Sequence, residues 1–156
     1  MAWLTQPGPK GCFSTRTPEQ VRWDWVKLWL AKAREDLFAG EVILNASMPS
    51  YDLVGFHAQQ AAEKALKALL IRHQVKFGKT HNMTELLQLA EPIAPGIRQQ
   101  LTDATALTPF AVDVRYPGEP PLGQGEAARH LAAARKALDH TGVLLKPYLD
   151  AGRPGG

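Results

Sequence analysis

FHAQQAAEKALKALL, residues 56–70, reads as a helix by every local criterion: alanine, leucine, glutamine, glutamate and lysine dominate it, and neither proline nor glycine interrupts it. At roughly 100° per residue, Val54, Ala58, Ala62, Ala65, Leu66 and Leu69 share an apolar arc that must face a core. Gln60, Lys64 and Lys67 fall on another side, with His57 beside Lys64. Phe56 and Ile71 interrupt that polar arc. Phenylalanine and isoleucine seldom stand among lysines on open surface, so the line reads as a groove wall or a subunit interface. The solvated face of an ordinary amphipathic helix is the other reading.

Outward from this stretch the pattern stays helical. Thr17-Pro18-Glu19-Gln20 has the form of a capping box with proline in the first turn. Val26, Leu30, Ala33, Leu37 and Leu44 follow at helical spacing, which predicts a helix over 18–46. Met48-Pro49-Ser50 breaks it, and Ser50 caps a second helix over 51–75. KFGKTHN is a connector with Gly78 as its break. Asn82 with Glu85 opens a short helix ending at Ala90, and Ile97, Leu101, Ala104 and Thr108 mark a fourth. A last helix is predicted over 126–145, with Pro147 ending or kinking it. No segment alternates with period two. The expected fold is therefore all-α, an antiparallel four-helix up-and-down bundle with a short extra helix, occupying residues 18–149. Residues 1–17 read as a loose arm and 150–156 as a frayed tail.

At 156 residues the chain suits one domain. Its net charge of +3 is mildly basic, far from a polybasic nucleic-acid protein. The excess is concentrated: between Tyr51 and His81, Lys64, Lys67, Arg72, Lys76 and Lys79 face only Asp52 and Glu63. The lone Cys12 excludes an intramolecular disulfide and a zinc ribbon. No apolar run approaches the roughly 20 residues of a membrane span, and no secretory signal is evident, so a cytoplasmic protein without membrane contact is expected.

Neither H-E-x-x-H nor a Glu-x-x-His pair is present, so no metal and no cofactor is expected. Glu126 and His130, four apart, fit a surface hydrogen bond better than a site. The loop AVDVRYPGEPP is more distinctive. Arg115 offers a planar fork for phosphate and Tyr116 a ring for stacking on a base, against the plainer reading of a structural Arg115 paired with Asp113.

Taken together, YDLVGFHAQQAAEKALKALLIRH, KTHNMTELLQLA and LTPFAVDVRYPG closely resemble the HEPN family, the higher eukaryotes and prokaryotes nucleotide-binding domains. The likeness runs over about residues 25–148. It implies a helical bundle, a symmetric homodimer and a polar groove near the dimer interface. It also implies a minimal nucleotidyltransferase as partner in a toxin–antitoxin module, and nucleotide or RNA as ligand. Ribonuclease relatives carry an Arg followed after four to six residues by a His. Arg115 matches by its R-Y-P context, but the next histidine is His130, with fourteen residues between. The nuclease motif is absent in that form. The acid or base would have to be His57, His81 or His130.

The expected function is accordingly nucleotide or RNA binding, with His57, Gln60, Lys64, Lys67, Arg115 and Tyr116 lining the site. A divergent metal-independent ribonuclease toxin and a ligand-free dimeric scaffold are the alternatives, and whether the protein is an enzyme stays open.

Overall fold

The computed structural model describes residues 16–111 and 120–155. Helix α1 (Pro18–Leu44) starts as its sequence dictates. The Thr17 hydroxyl accepts from the Gln20 amide at 3.2 Å, and the Gln20 side chain accepts from the Thr17 amide at 3.0 Å. Helix α2 (Tyr51–Arg72) returns antiparallel to it after a short connection. Val54, Ala58, Ala62, Ala65, Leu66 and Leu69 are all buried, as their shared arc requires. Each fully buried leucine contributes about 1.5–3 kcal/mol.

Helix α2 stops at Arg72, three residues short of the expected 75, and the break lies at Gln74 rather than Gly78. Gln74 takes a left-handed φ of 57°. Its amide donates to the Ile71 carbonyl at 3.1 Å and that of Val75 to the Leu70 carbonyl at 3.0 Å. These two bonds form a Schellman closure with glutamine where glycine is usual.

Helix α3 (Met83–Ala90) is capped by Asn82, whose side chain accepts from the amides of Thr84 and Glu85. The expected fourth helix divides. One α-helical turn, α4 (Ile97–Gln100), is followed by a 3₁₀ helix over Thr102–Phe110. The reason is in the spacing: Leu101, Ala104, Leu107 and Phe110 are all buried and recur every three residues, the 3₁₀ period. Thr108, which α-helical spacing would turn inward, is half-buried and accepts from the Met83 amide at 3.1 Å.

Helix α5 (Gln124–Asp150) runs through Pro147 instead of ending there. Proline leaves the carbonyl of residue 143 without its helical donor, and Val143 is exposed, so water can serve it. Glu126 reaches back to the Gly123 amide at 3.4 Å, while the His130 ring lies 4.7 Å from Phe110. The segment after α5 is held: Arg153 makes a two-pronged ion pair with Asp24, both contacts at 2.9 Å, and Gln20 donates to the Pro154 carbonyl at 2.9 Å.

The result is all-α, with no strand among the described residues. Helix α2 lies against α1 and α5 and carries the largest share of the core, and α1 also meets α5. The pairs Arg135–Glu41 and Arg153–Asp24, near opposite ends of α1, make α5 antiparallel to it. The short helices α3 and α4 and the 3₁₀ segment form the remaining side of the bundle. Gly55 permits that side to close: a Cβ there would meet the Phe110 ring at 2.8 Å.

Candidate functional site

The polar line of α2 is one line in projection but two clusters in space. The first gathers on Asp36, which α1 supplies from the flank of its core stripe. His57 Nδ1 lies 3.0 Å from one Asp36 carboxylate oxygen, and Lys64 Nζ pairs with the other. Lys64 also donates to Gln60 Oε1 at 3.2 Å. The second cluster surrounds Glu63. Lys67 donates to it at 2.7 Å and Gln59 at 2.5 Å, and His81 Nδ1 stands 3.0 Å away. Gln60 joins the two by donating to Gln59 Oε1 at 2.7 Å. A hydrogen-bonded seam thus runs unbroken from Asp36 to His81.

The clusters differ in depth. The Lys64 side chain keeps 23% of its surface exposed; that of Lys67 keeps 7%. Lys67 is roofed by aromatic rings, with Nζ 5.9 Å from the centre of Trp29 and 5.4 Å from that of Phe77. It lies beneath the surface that Lys64 reaches. The structure therefore brings together His57, Gln60 and Lys64 around Asp36, and sets Lys67 apart in an interior pair. Arg115 and Tyr116 lie outside the described residues.

Burial raises the Glu63 pKa, the largest single influence on it. Hydrogen bonds from Lys67 and Gln59, the Lys67 charge and the His81 contact together outweigh that and hold it below the ordinary carboxylate value. Each cluster pairs one carboxylate with one lysine. A carboxylate accepting from Nδ1–H leaves the lone pair of the neutral ring on Nε2, where His57 and His81 can each accept a hydrogen bond. The remaining cations of this region are dispersed: the Arg72 guanidinium packs 4.0 Å from the Tyr148 ring, while Lys76 and Lys79 are exposed. Among the described residues no group of three or more His, Cys, Asp or Glu side chains is arranged to hold a metal ion.

Asp36, Gln59 and Glu63 were not among the expected site residues. Gln59 and Glu63 had a signal: they stand four apart, next to Ala58 and Ala62 of the buried arc, where an unpaired polar group is costly. Asp36 had none beyond its place beside Leu37.

The family model for the HEPN domain matches residues 26–143, which takes in the whole seam. The chain belongs to the HEPN family. Among solved structures, the archaeal HEPN homologue ST0689 superimposes with a TM-score of 0.63 at 25% identity, over 77% of this chain and 97% of that one. No curated protein matches the chain. The HEPN fold thus carries the seam on its central helix, with both ends reaching solvent.

Proposed function

We propose that this HEPN domain binds a nucleotide or an RNA segment along the α2 seam. The observation that carries the reading is the continuous run of amide, imidazole, lysine and carboxylate groups from Asp36 to His81, open at His57 and Lys64 and again at His81, whose side chain is 57% exposed. Lys64 faces phosphate, His57 and Gln60 face base or ribose, and Lys67 acts from below by keeping Glu63 neutralised. Arg115 and Tyr116 complete the site as a phosphate fork and a stacking ring. Two copies form a homodimer, and a minimal nucleotidyltransferase is the protein partner in a toxin–antitoxin-type module. The chain works in the cytoplasm; no described helix is long and apolar enough to cross a membrane.

The test is calorimetric titration of ATP, GTP, AMP and a short RNA into wild type, Lys64→Ala and Arg115→Ala at two salt concentrations. Affinity should fall as salt rises, because cationic contacts to phosphate are screened, and fall again in each variant. Binding that ignores both salt and these substitutions would sink the reading. Reading the DNA beside the gene tests the partner: a nucleotidyltransferase reading frame there is the expected result.

The Asp36–His57 contact favours a second reading, a metal-independent ribonuclease. An imidazole oriented by a carboxylate is the arrangement that general acid–base transfer at a ribose hydroxyl needs. RNA cleavage that survives chelators and is lost in His57→Ala would support it; cleavage unchanged in that variant would not.

A further inference from the structure

On the side of α1 away from the seam, a groove of about 760 Å³ separates α1 from α5. Asp36 and Phe38 stand roughly 200° apart around α1, at about 100° per residue, so the groove and the seam occupy different flanks. Leu37 and Leu138, both buried, form its floor. Its rims are apolar and open: Phe38 is 68% exposed and Val143 72%. Two large hydrophobic side chains this exposed along one groove mark a surface built to be covered.

The place where the described chain begins, and the sequence before it, identify the cover. Arg16 pairs with Asp24 at 3.4 Å, and Arg153 pairs with the same carboxylate at 2.9 Å. Residue 16 therefore stands beside the C-terminal end of α5, next to the end of the groove lined by Leu149 and Asp150. Residues 1–15, MAWLTQPGPKGCFST, hold Trp3, Leu4 and Phe13 and one charged side chain, Lys10. Phe38 lies about 30 Å along α1 from Pro18 at roughly 1.5 Å per residue. Extended chain from Arg16 back to Leu4 spans up to about 40 Å at roughly 3.3 Å per residue, so the distance is within reach. Pro7 and Pro9 favour an extended path. The flank in between is apolar as well: the half-buried Trp23 stands about five whole turns before Glu41 of the groove and shares its azimuth. The groove offers no net charge, since Arg34, Arg135 and Lys146 balance Glu41, Asp139 and Asp150. A polyanion would require one sign of charge. An apolar segment with a single cation does not.

We infer that residues 1–15 turn back along α1 and cover the α1–α5 groove of their own chain, with Phe13 against Trp23 and with Trp3 and Leu4 between Phe38 and Val143. The tether favours the same chain over a second copy, because a short linker holds its segment at an effective concentration in the millimolar range. The strap closes this flank and leaves the seam open.

Trypsin, which cleaves after Lys10, tests this on the full chain, with mass spectrometry to follow that cut and helicity as the fold control. Cleavage there should be slow in wild type. Phe38→Glu, Val143→Glu and Trp3→Ser should each speed it roughly tenfold or more, because proteolysis follows the fraction of strap released. Phe38 and Val143 are exposed, so folding should survive. Trp3→Ser combined with Phe38→Glu should cleave no faster than either alone, since both remove the same contact. A rate that none of the three substitutions changes would overturn the inference. A cross-link fixes the strap's position. In a Cys12→Ser background, Ala2→Cys with Asp139→Cys should form a disulfide within one chain, and Ala2→Cys with Gln99→Cys, on α4, should not. Mixing isotope-labelled and unlabelled chains shows which chains are joined. A disulfide between two chains, or equal linkage to Gln99→Cys, would overturn docking of the strap on its own groove.

Discussion

Lys64 and Lys67 sit less than one turn apart on the same helix, each beside a carboxylate, and the molecule uses them in opposite ways. Lys64 bridges two helices and reaches water; Lys67 pairs within its own helix beneath Trp29 and Phe77. What separates them is the lid above each. A cation that keeps contact with solvent can exchange its partner for a ligand phosphate. A buried one cannot release its carboxylate without stranding a charge in the interior. In the proposed binding reading, the solvent-reaching Lys64 meets the ligand, and the buried Lys67–Glu63 pair is the frame that sets its position.

The strongest way to break this contrast is Lys67→Ala. It leaves Glu63 buried without its cation, and chemical denaturation should show a loss of about 3–5 kcal/mol. The double variant Glu63→Gln, Lys67→Met should recover most of it, because the burial penalty disappears with the charges. If Lys67→Ala proves mild, the pair is wetter than its depth implies and the contrast with Lys64 fails.

Acid attacks the same pair from the other partner. The folded state holds Glu63 below its unfolded value of about 4.5, so its contribution is fully present above that value and is lost as pH falls through the folded pKa. Wild type should therefore lose stability more steeply than Glu63→Gln as pH drops below about 4.5, measured by urea midpoints across the acid range. Parallel curves for the two proteins would mean that Glu63 is not held ionised by folding.

Much of the frame could be read from residue spacing. The Thr17–Gln20 box, the Asn82 cap and the α2 arc are local patterns whose partners lie within one or two turns, and each stands where the pattern places it. The failures are equally specific. A helical projection gives azimuth but not depth, so Lys67 looked equivalent to Lys64 until Trp29 from α1 and Phe77 from the connector closed over it. Asp36 is visible only once α1 lies against α2. The 3₁₀ segment was legible in principle, since its apolar residues recur every three from Leu101 to Phe110. Ile97 and Thr108, however, also fit an α-helical register. The R-Y-P loop, the most distinctive element of the sequence, contributes residues that fall outside the described part of the chain.

Lys64→Ala should have a smaller effect on stability, about 1 kcal/mol or less, because its ion pair with Asp36 keeps contact with water. Its effect should appear in ligand affinity, as a loss on the order of tenfold at low salt that shrinks as salt rises. The pairing of the two measurements is what discriminates. A large loss of stability with no change in binding would make Lys64 a second structural lysine and leave the seam a scaffold.

The smallest expected effect is a gain. Gln74 holds a left-handed conformation that costs a side-chain-bearing residue roughly 1 kcal/mol or more and glycine almost nothing. Gln74→Gly should therefore stabilise the protein by about 0.5–1 kcal/mol, read from the urea midpoint, the greater unfolded-state freedom of glycine offsetting part of the gain. Gln74 is exposed and lies beyond the last turn of α2, so the substitution firms the helix that bears both lysines without touching either cluster. In that background the Lys67→Ala loss and the Lys64→Ala binding defect should keep their sizes, since distant sites without shared partners add. If the Lys64→Ala defect changes instead, fraying of α2 reaches into the seam, and the difference between the two lysines is one of helix dynamics as well as of depth.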